Sequence, residues 1–136
     1  MAYMLDTDCC VELLRGKAPR AAQQLRQHGL ERVCLSAISV GELLAGAARS
    51  SDPSGNSARV LRLCASFRVV PFDAHAAASY AQCRAILSAK GTPIGPIDML
   101  IAGHALSLGV TLVTGNTREF ARVHGLSIEN WIDRAP

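Results

Sequence analysis

Short apolar runs recur along the chain, separated by longer stretches in which apolar positions repeat at helical spacing. The runs are typical of buried strands because each is short and is bounded by polar or turn-forming positions. They cover residues 3–5, 32–35, 68–72, 110–114 and 126–129. Short strands that alternate with helices predict an α/β domain, with a mostly parallel central sheet of four to five short strands flanked by helices.

Capping residues and prolines set the ends of the predicted helices. Thr7 or Asp8 can cap the first helix, Ser36 or Ser39 can begin the third, and Asp73 can cap a long Ala-rich helix. The predicted helices cover residues 7–14, 19–28, 36–48, 58–66, 74–90, 96–108 and 117–123. The intervening residues 50–57 are rich in Ser, Gly and Pro. They predict a loop rather than a domain linker, because neither flank is long enough to fold alone.

The size and composition of the chain fit one folded domain over residues 1–136. The sequence is 49% hydrophobic and 18% charged, so it can bury enough apolar surface to offset chain entropy, which excludes disorder. No apolar run approaches the roughly 20 residues of a membrane span, and the acidic start is unlike a signal peptide. We therefore expect a soluble cytoplasmic protein that does not bind membranes.

The cysteines and the net charge exclude fewer classes of function than the size and the hydrophobic composition do. Five cysteines without C-x-x-C spacing argue against a zinc site and a disulfide framework, and most are expected to be small buried hydrophobic residues. The net charge of +3 is too small to indicate nucleic-acid binding. Twelve of the fourteen basic residues are Arg, a side chain that suits bidentate contact with phosphate.

Several carboxyl and amide side chains follow the predicted strands. Asp6 comes directly after the first strand, and Glu42 lies one turn into the helix after the second. Asp98 lies in the first turn of the helix that Pro96 begins. Asn116 and Glu119 follow the fourth strand. Because ligands bind beyond the carboxyl ends of parallel strands, these side chains are expected to share one edge of the sheet.

Each of these polar residues also has a purely structural interpretation. A carboxylate at a helix start can cap free backbone N–H groups or favour the helix dipole. Two pairs have the spacing of a capping box, in which a cap and a Glu three residues later satisfy each other's backbone. The positions concerned are Asp6 and Asp98 at helix starts, and the pairs Ser39–Glu42 and Asn116–Glu119.

Taken together, the acids point to a divalent cation. Asp6 and Asp98 lie in apolar surroundings with no Lys or Arg near them in sequence. Carboxylates without cationic partners repel one another, and the usual remedy is a hard cation with oxygen ligands, Mg²⁺ or Mn²⁺. Such a site suits hydrolysis of a phosphodiester. The sequence has no G-x-S-x-G, P-loop or H-E-x-x-H motif, and the mid-helix His104 is interpreted as a satisfied helix-face residue.

At these positions the sequence resembles the VapC-type toxins of the PIN-domain ribonuclease family. The resemblance extends over nearly the whole chain, and it rests on the order and spacing of several segments rather than on one of them. The matching segments are residues 3–8 (YMLDTD), 39–47 (SVGELLAGA), 70–73 (VPFD) with 77–80, 95–105 (GPIDMLIAGHA), 113–120 (VTGNTREF) and 129–131 (ENW).

The resemblance implies a metal-dependent endoribonuclease. Its acidic positions map to Asp6, Glu42 and Asp98, with the fourth position shared by Asn116 and Glu119. In this interpretation the four carboxylates are the catalytic set. Asp6, Asp98, Glu42 and Asn116 are the metal-ligand candidates.

Other positions of the same segments bear on the site. Thr114 would orient an acid by hydrogen bonding. Asp8 stands where many relatives have Asn and adds a charge, Asn116 stands where many have Asp, and Gly115 replaces a bulkier polar residue. These departures concern the second metal position.

The resemblance also implies partners. It indicates a VapB-type antitoxin whose C-terminal segment fills the acidic groove, a toxin homodimer, and a larger complex on operator DNA. The segments 95–98 and 116–120 are similar to those of the branch that cuts initiator tRNA in its anticodon loop. Candidates for RNA contact are Arg118, Arg122 and Arg84, although Arg also makes ordinary surface ion pairs at this spacing.

Alternatives remain open at this point. The strand followed by Asp6-x-Asp8 also suits a phosphatase of the haloacid dehalogenase type, which needs an aspartyl nucleophile and a neighbouring acid. A receiver-like scaffold domain, or an inactive PIN-like module that binds only its antitoxin, is the non-enzymatic alternative. Both the phosphatase and the receiver need a Lys late in the chain, and Lys90, the last one, lies before a loop.

Overall fold

The computed structural model describes residues 1–132, which form five short strands and seven α-helices. The strands are β1 (Tyr3–Leu5), β2 (Val33–Ser36), β3 (Arg68–Val70), β4 (Thr111–Val113) and β5 (Ile128–Glu129). The helices are α1 (Thr7–Leu14), α2 (Pro19–His28), α3 (Ala37–Ala48), α4 (Pro53–Ala65), α5 (Ala74–Ala89), α6 (Pro96–Leu108) and α7 (Thr117–Phe120). A single 3-10 turn, Leu30–Arg32, precedes β2.

The strands form one sheet in the order β3-β2-β1-β4-β5, and every neighbouring pair is parallel. The predicted α/β class and the number of strands are therefore confirmed. The order places β1 at the centre, between β2 and β4. As a result, the residues that follow these three strands meet at one edge of the sheet.

Alternate residues of the central strands enter two separate cores, one on each face of the sheet. Leu5, Leu35 and Val113 pack with the inward faces of α1 to α4. Met4 and Leu112 pack with α5, α6 and Phe120 of α7. Side chains of a strand alternate between its faces, so a continuous apolar run such as that of β1 is what a strand covered on both sides requires.

Helix α6 packs closely on α5 because Gly103 has no side chain. A Cβ at Gly103 would lie 2.5 Å from the Cα of Tyr80. The helix ends at Gly109, which has φ +67° and adopts the left-handed conformation that suits a glycine at a helix end. This packing fixes the first turn of α6, with Asp98, at the edge where the central strands end.

One helix start differs from the prediction, and at a second the structure decides between two predicted caps. The predicted loop at 50–57 ends early because Asp52 caps α4, accepting a bond from the Gly55 N–H at 3.1 Å, and Pro53 takes the first helical position. Helix α3 is capped by Ser36, whose hydroxyl accepts from the Ile38 N–H at 3.1 Å. Of the two caps proposed for α3, Ser36 is right and Ser39 is wrong.

Aromatic rings attach the last described segment to the rest of the domain. The rings of Trp131 and His28 stack at 5.4 Å, and Tyr3 lies against both. The Trp131 indole N–H donates to Glu129 at 3.1 Å. All five cysteines are buried free thiols, as predicted. Within residues 1–132, no helix is long and apolar enough to cross a membrane.

Candidate active site

Asp6 lies at the end of the central strand and is 3% exposed. Its carboxylate accepts a hydrogen bond from the Cys9 N–H at 2.8 Å and therefore caps α1. The structural interpretation of Asp6 as a cap is right, and the alternative caps Thr7 and Asp8 are wrong. The Thr114 hydroxyl, at the end of the neighbouring β4, also bonds this carboxylate. This hydrogen bond is the contact that the predicted supporting role of Thr114 requires.

Burial raises the pKa of Asp6 to about 6, against the opposing effect of the bonds from Thr114 and Cys9. The charge of Asp8 adds a smaller rise. Since hydrogen bonds to an ionised carboxylate lower its pKa, the remaining upward shift means that desolvation outweighs them. Asp6 is a buried acid, and no Lys or Arg of the described residues 1–132 pairs with its ionised form.

Asp98 occupies the first turn of α6, where the sequence places it, and is half-buried. Its pKa is raised to about 6, first by burial and then by the negative charges of Glu119, Asp6, Asp8 and Glu42. Repulsion of this kind acts over several ångströms and weakens with distance. The fold therefore brings together the acids that the sequence placed on four separate segments.

Glu119 is held by two short hydrogen bonds. Its Oε1 accepts from the Gly95 N–H at 2.6 Å, and its Oε2 accepts from the Asn116 side-chain amide at 2.6 Å. The Asn116 backbone N–H in turn donates to the Thr114 hydroxyl at 2.9 Å. Asn116 makes no side-chain cap to α7, so the predicted capping box at these residues is wrong, and the pair instead joins α7 to the loop before α6.

Glu42 and Asp8 lie along the side of this edge that faces α1 and α3. Both line an open groove together with Thr7. Ser39 is buried and accepts a hydrogen bond from the Thr7 hydroxyl at 3.1 Å. Because α3 begins before Ser39, the predicted Ser39–Glu42 capping box is also wrong, and Glu42 has no capping role.

The chemistry of the donors fits a hard divalent cation. Within residues 1–132, no Lys or Arg lies within ion-pair distance of these five carboxyl groups. As the side chains stand, no three His, Cys, Asp or Glu residues of that range are close enough to bind one ion together. The groups that repel one another are nevertheless all oxygen donors, which Mg²⁺ and Mn²⁺ prefer, and a cation among them would cancel the repulsion that raises the pKa of Asp98.

The predicted RNA-binding arginines are placed on other parts of the surface. Arg84 donates to the Tyr80 hydroxyl on α5 at 2.8 Å. Arg122 donates to the Pro93 carbonyl at 3.1 Å, in the loop that leads to Gly95. Arg118 is exposed beside Glu119. RNA binding by these three arginines stays a prediction.

The sequence missed two features of this region. His104 is buried in α6 and contacts Ser36, so it is not the ordinary helix-face residue that was expected. A groove of about 470 Å³ also opens between α1, α3 and α4 next to the acids. Both join residues that are far apart in the chain, and no local motif marks them.

Comparison with known proteins agrees with this geometry. The PIN domain family model matches residues 3–126. A tRNA(fMet)-specific endonuclease VapC of Salmonella typhimurium is 40% identical over 131 residues, which are 96% of this chain and 98% of the relative. Ribonuclease VapC2 of Haemophilus influenzae is 34% identical over 132 residues, 97% of this chain and 99% of the relative.

Solved structures give the same assignment. A DNA-bound VapBC structure from Salmonella typhimurium contains a chain that is 40% identical and superposes with a TM-score of 0.93, covering 96% of this chain and 98% of that one. VapBC2 of Rickettsia felis, bound to a DNA fragment from its promoter, gives a TM-score of 0.89 at 31% identity, covering 96% and 99%. With its parallel sheet, its acidic edge and these relatives, the chain belongs to the PIN-domain family and, within it, to the VapC-type ribonucleases.

Proposed function

We propose that this chain is the toxin of a VapBC-like toxin–antitoxin system and hydrolyses RNA phosphodiester bonds with Mg²⁺ or Mn²⁺. The observation that carries the proposal is Asp98, whose pKa is raised by burial and by four neighbouring carboxyl groups, none of them paired with a Lys or Arg among residues 1–132. A buried cluster of that kind costs stability unless a metal neutralises it. A cluster that is costly without a ligand is the expected signature of a functional site.

Asp6, Asp98 and Glu42 are the proposed metal ligands. When bound, the cation lowers the pKa of an attacking water and stabilises the charge on the leaving oxygen. The Thr114 hydroxyl orients Asp6 through its hydrogen bond. Asp8, exposed at the start of α1, adds negative charge at the mouth of the site and raises the affinity for a cation there.

Asn116 and Glu119 share the fourth position in different roles. Both oxygens of Glu119 accept short hydrogen bonds, so we assign it to holding the loop before α6 and Asn116 in place. The Asn116 amide nitrogen donates to Glu119, and we assign its Oδ1 to the cation as an oxygen ligand. A ligand set of three carboxylates and one amide oxygen suits Mg²⁺ or Mn²⁺.

The substrate and partners are proposed from the relatives. Two of them, from Salmonella typhimurium and Shigella flexneri, are named tRNA(fMet)-specific endonucleases and are 40% and 39% identical. We therefore propose tRNA as the substrate, with the initiator tRNA anticodon loop as the first candidate. The VapBC complexes on DNA support a VapB-like antitoxin and assembly on operator DNA. A toxin homodimer, which the family resemblance implies, is part of the same proposal.

The proposed place of action is the cytoplasm, where tRNA and operator DNA are found. Five free thiols suit a reducing compartment. The same proposal treats residues 1–136 as one domain, of which the family match spans residues 3–126.

Cleavage of initiator tRNA by the purified chain tests the function. We expect cleavage at one position with Mg²⁺ or Mn²⁺, none with EDTA, and none with Asp98→Asn. Glu31→Gln, a change at an exposed carboxylate before β2, is the matched control and should cut like the wild type. Folded wild-type protein that cuts neither this tRNA nor total RNA with either metal would overturn the proposal and favour the inactive antitoxin-binding module.

A further inference from the structure

Gly115 lies between two residues of the acidic edge, Thr114 and Asn116. It is half-buried, and it is not among the glycines with positive φ. Its backbone conformation therefore does not call for the freedom that only glycine has. What the missing side chain provides at this position is space next to the site.

The side chain of Ile132 fills the space beside Gly115. A Cβ added at Gly115 would lie 3.5 Å from the Cβ of Ile132, and 3.7 and 3.8 Å from its two γ carbons. These are ordinary contact distances for one carbon atom, so a methyl group fits there. A branched side chain at Gly115 would need the space that the isoleucine already holds. Positions 115 and 132 therefore share one space.

The segment that carries Ile132 is itself held in place. The Ile132 N–H donates to the Asn130 side-chain oxygen at 2.8 Å. Trp131 is 2% exposed and belongs to the aromatic cluster described above. The Glu129 carbonyl accepts from the Thr114 N–H at 3.0 Å, which joins this segment to the end of β4. Ile132 can therefore support the backbone that packs against it.

The backbone around Gly115 sets the positions of several groups of the site. The Thr114 hydroxyl bonds the Asp6 carboxylate and accepts from the Asn116 N–H at 2.9 Å. The Asn116 side-chain amide donates to Glu119 at 2.6 Å. A binding site needs its groups held within roughly 0.5 Å of the productive geometry. A small shift of the backbone at Gly115 would therefore disturb two hydrogen-bonded residues at once.

We propose that Ile132 is a positioning residue of the metal site, because its side chain packs on Gly115 and fixes the backbone on either side of it. This inference rests on the proposed function, and it adds a residue of the C-terminal segment to the site. Ile132 has no ligand atom in its side chain. It acts through the backbone on Thr114 and Asn116, which carry the polar groups.

A purely structural role of Ile132 has to be separated from this one. Ile132 also packs against the core that the sheet forms with α1 to α4, so its truncation lowers stability in any case. Leu63 is another partly buried aliphatic side chain against the same core, and it lies on α4. Leu63→Ala is therefore the matched control, since it removes a similar apolar contact from a different element.

The first test uses neither metal nor RNA. Amide hydrogen exchange in EDTA follows the Asn116 N–H, whose bond to the Thr114 hydroxyl opens when this segment moves. Ile132→Ala should make this amide exchange about tenfold faster, because local opening sets its rate. Ile132→Val keeps all three carbon atoms that lie nearest to Gly115. This variant and Leu63→Ala should both stay within about twofold of the wild type.

The second test measures Mn²⁺ affinity by calorimetry at 15 °C, with circular dichroism to show that each variant is folded. Ile132→Ala should bind roughly tenfold more weakly, as is usual when a group that orients a ligand is lost. Gly115→Val should also weaken binding, since its methyl groups need the space of Ile132. The double variant Gly115→Val with Ile132→Ala should bind more tightly than Gly115→Val alone, because the total volume is nearly conserved.

The outcomes separate this inference from the proposed function. Equal exchange rates and equal Mn²⁺ affinities in Ile132→Ala and Leu63→Ala would overturn the inference, because Ile132 would then only fill the core. A double variant no better than Gly115→Val alone would also overturn it. RNA cleavage by the wild type decides the proposed function. Since exchange is measured without metal, it tests the support of Gly115 even in a chain that cuts no RNA.

Discussion

His104 Nδ1 lies 2.8 Å from the Oγ of Ser36 in the buried space between α6 and the sheet. Ser36 caps α3, which carries Glu42, and His104 lies on the helix that carries Asp98. One buried hydrogen bond therefore joins the two acid-bearing helices. The other ring nitrogen, Nε2, is buried without a hydrogen bond of good geometry in the described part of the chain, although the Pro71 carbonyl is close enough to affect the ring.

His104→Ala is expected to lower the free energy of unfolding by about 2–3 kcal/mol, because it leaves a cavity and removes the partner of Ser36. His104→Asn should recover part of that loss, since its side-chain amide can reach the position of Nδ1. Urea unfolding of both variants and of Ser36→Ala measures this. A double-mutant cycle should give a coupling energy of about 0.5–3 kcal/mol, and additive effects would contradict the link.

The same bond should affect the metal site. If it sets the spacing of α3 and α6, His104→Ala will weaken Mn²⁺ binding and lower kcat more than it raises KM, with His104→Asn closer to the wild type. Isothermal titration with Mn²⁺ at 15 °C separates the two effects. A variant that is only less stable remains folded at this temperature and should bind Mn²⁺ with wild-type affinity. Wild-type metal affinity in folded His104→Ala would show that the bond stabilises the domain without positioning the site.

Asp98→Asn is expected to stabilise the metal-free protein at neutral pH. The pKa of Asp98 is about 6 in the folded state against an ordinary value of 3.8, so the folded state holds its proton more tightly than the unfolded state. Stability of the wild type must then fall as pH rises from about 4 through 6. The difference in Tm between Asp98→Asn and wild type in EDTA should grow over that range and level off above pH 7.

At pH 7.5, Mn²⁺ should make the wild type more thermally stable than Asp98→Asn, which is the reverse of their order in EDTA. A cation binds the ionised acids of the folded state, so millimolar Mn²⁺ should raise the Tm of the wild type by several degrees and that of Asp98→Asn much less. At pH 5 the gain of the wild type should shrink, because Asp6 and Asp98 hold protons there. Thermal melts with Mn²⁺ and with EDTA at both pH values test this, and equal gains in the two proteins would remove Asp98 from the ligand set.

Asn116→Asp should destabilise the metal-free protein by roughly 1–3 kcal/mol, because it replaces the amide that donates to Glu119 at 2.6 Å with a second carboxylate. Glu119→Gln in the same chain should restore stability, since its amide can donate to Asp at 116. Unfolding of the single and double variants measures the rescue. A stable single variant would mean that the hydrogen bond does not hold the loop before α6.

Induced expression in cells tests the biological activity. The wild type should arrest growth and produce one sharp set of new RNA 5′ ends, and Asp98→Asn should do neither. Asp8→Asn should have a mild effect, because Asp8 is exposed and its charge makes only a small contribution to the raised pKa of Asp6. Complete loss of activity in Asp8→Asn would make it a ligand.

The sequence by itself determined the strands, most of the helices and the acids. The apolar runs around Met4 and Leu112 are covered on both faces, and that local pattern is sufficient to predict a buried parallel strand. Asp6 and Asp98 follow from position alone, because a residue that ends a parallel strand or begins the next helix lies at the ligand-binding edge. These inferences depend only on residues that are neighbours in the chain, so they do not require the three-dimensional structure.

The tertiary structure decided which groups each side chain contacts. Glu119 is bonded to Gly95, 24 residues away, and His104 to Ser36, 68 residues away. The same is true of the groove, which α1, α3 and α4 form together. Hydrogen bonds and cavities of this kind depend on how helices pack, and packing is set by the sum of many distant contacts rather than by any local pattern. The sequence therefore identified the acids, and the tertiary structure decided that Glu119 holds the loop before α6 and that His104 joins α6 to Ser36.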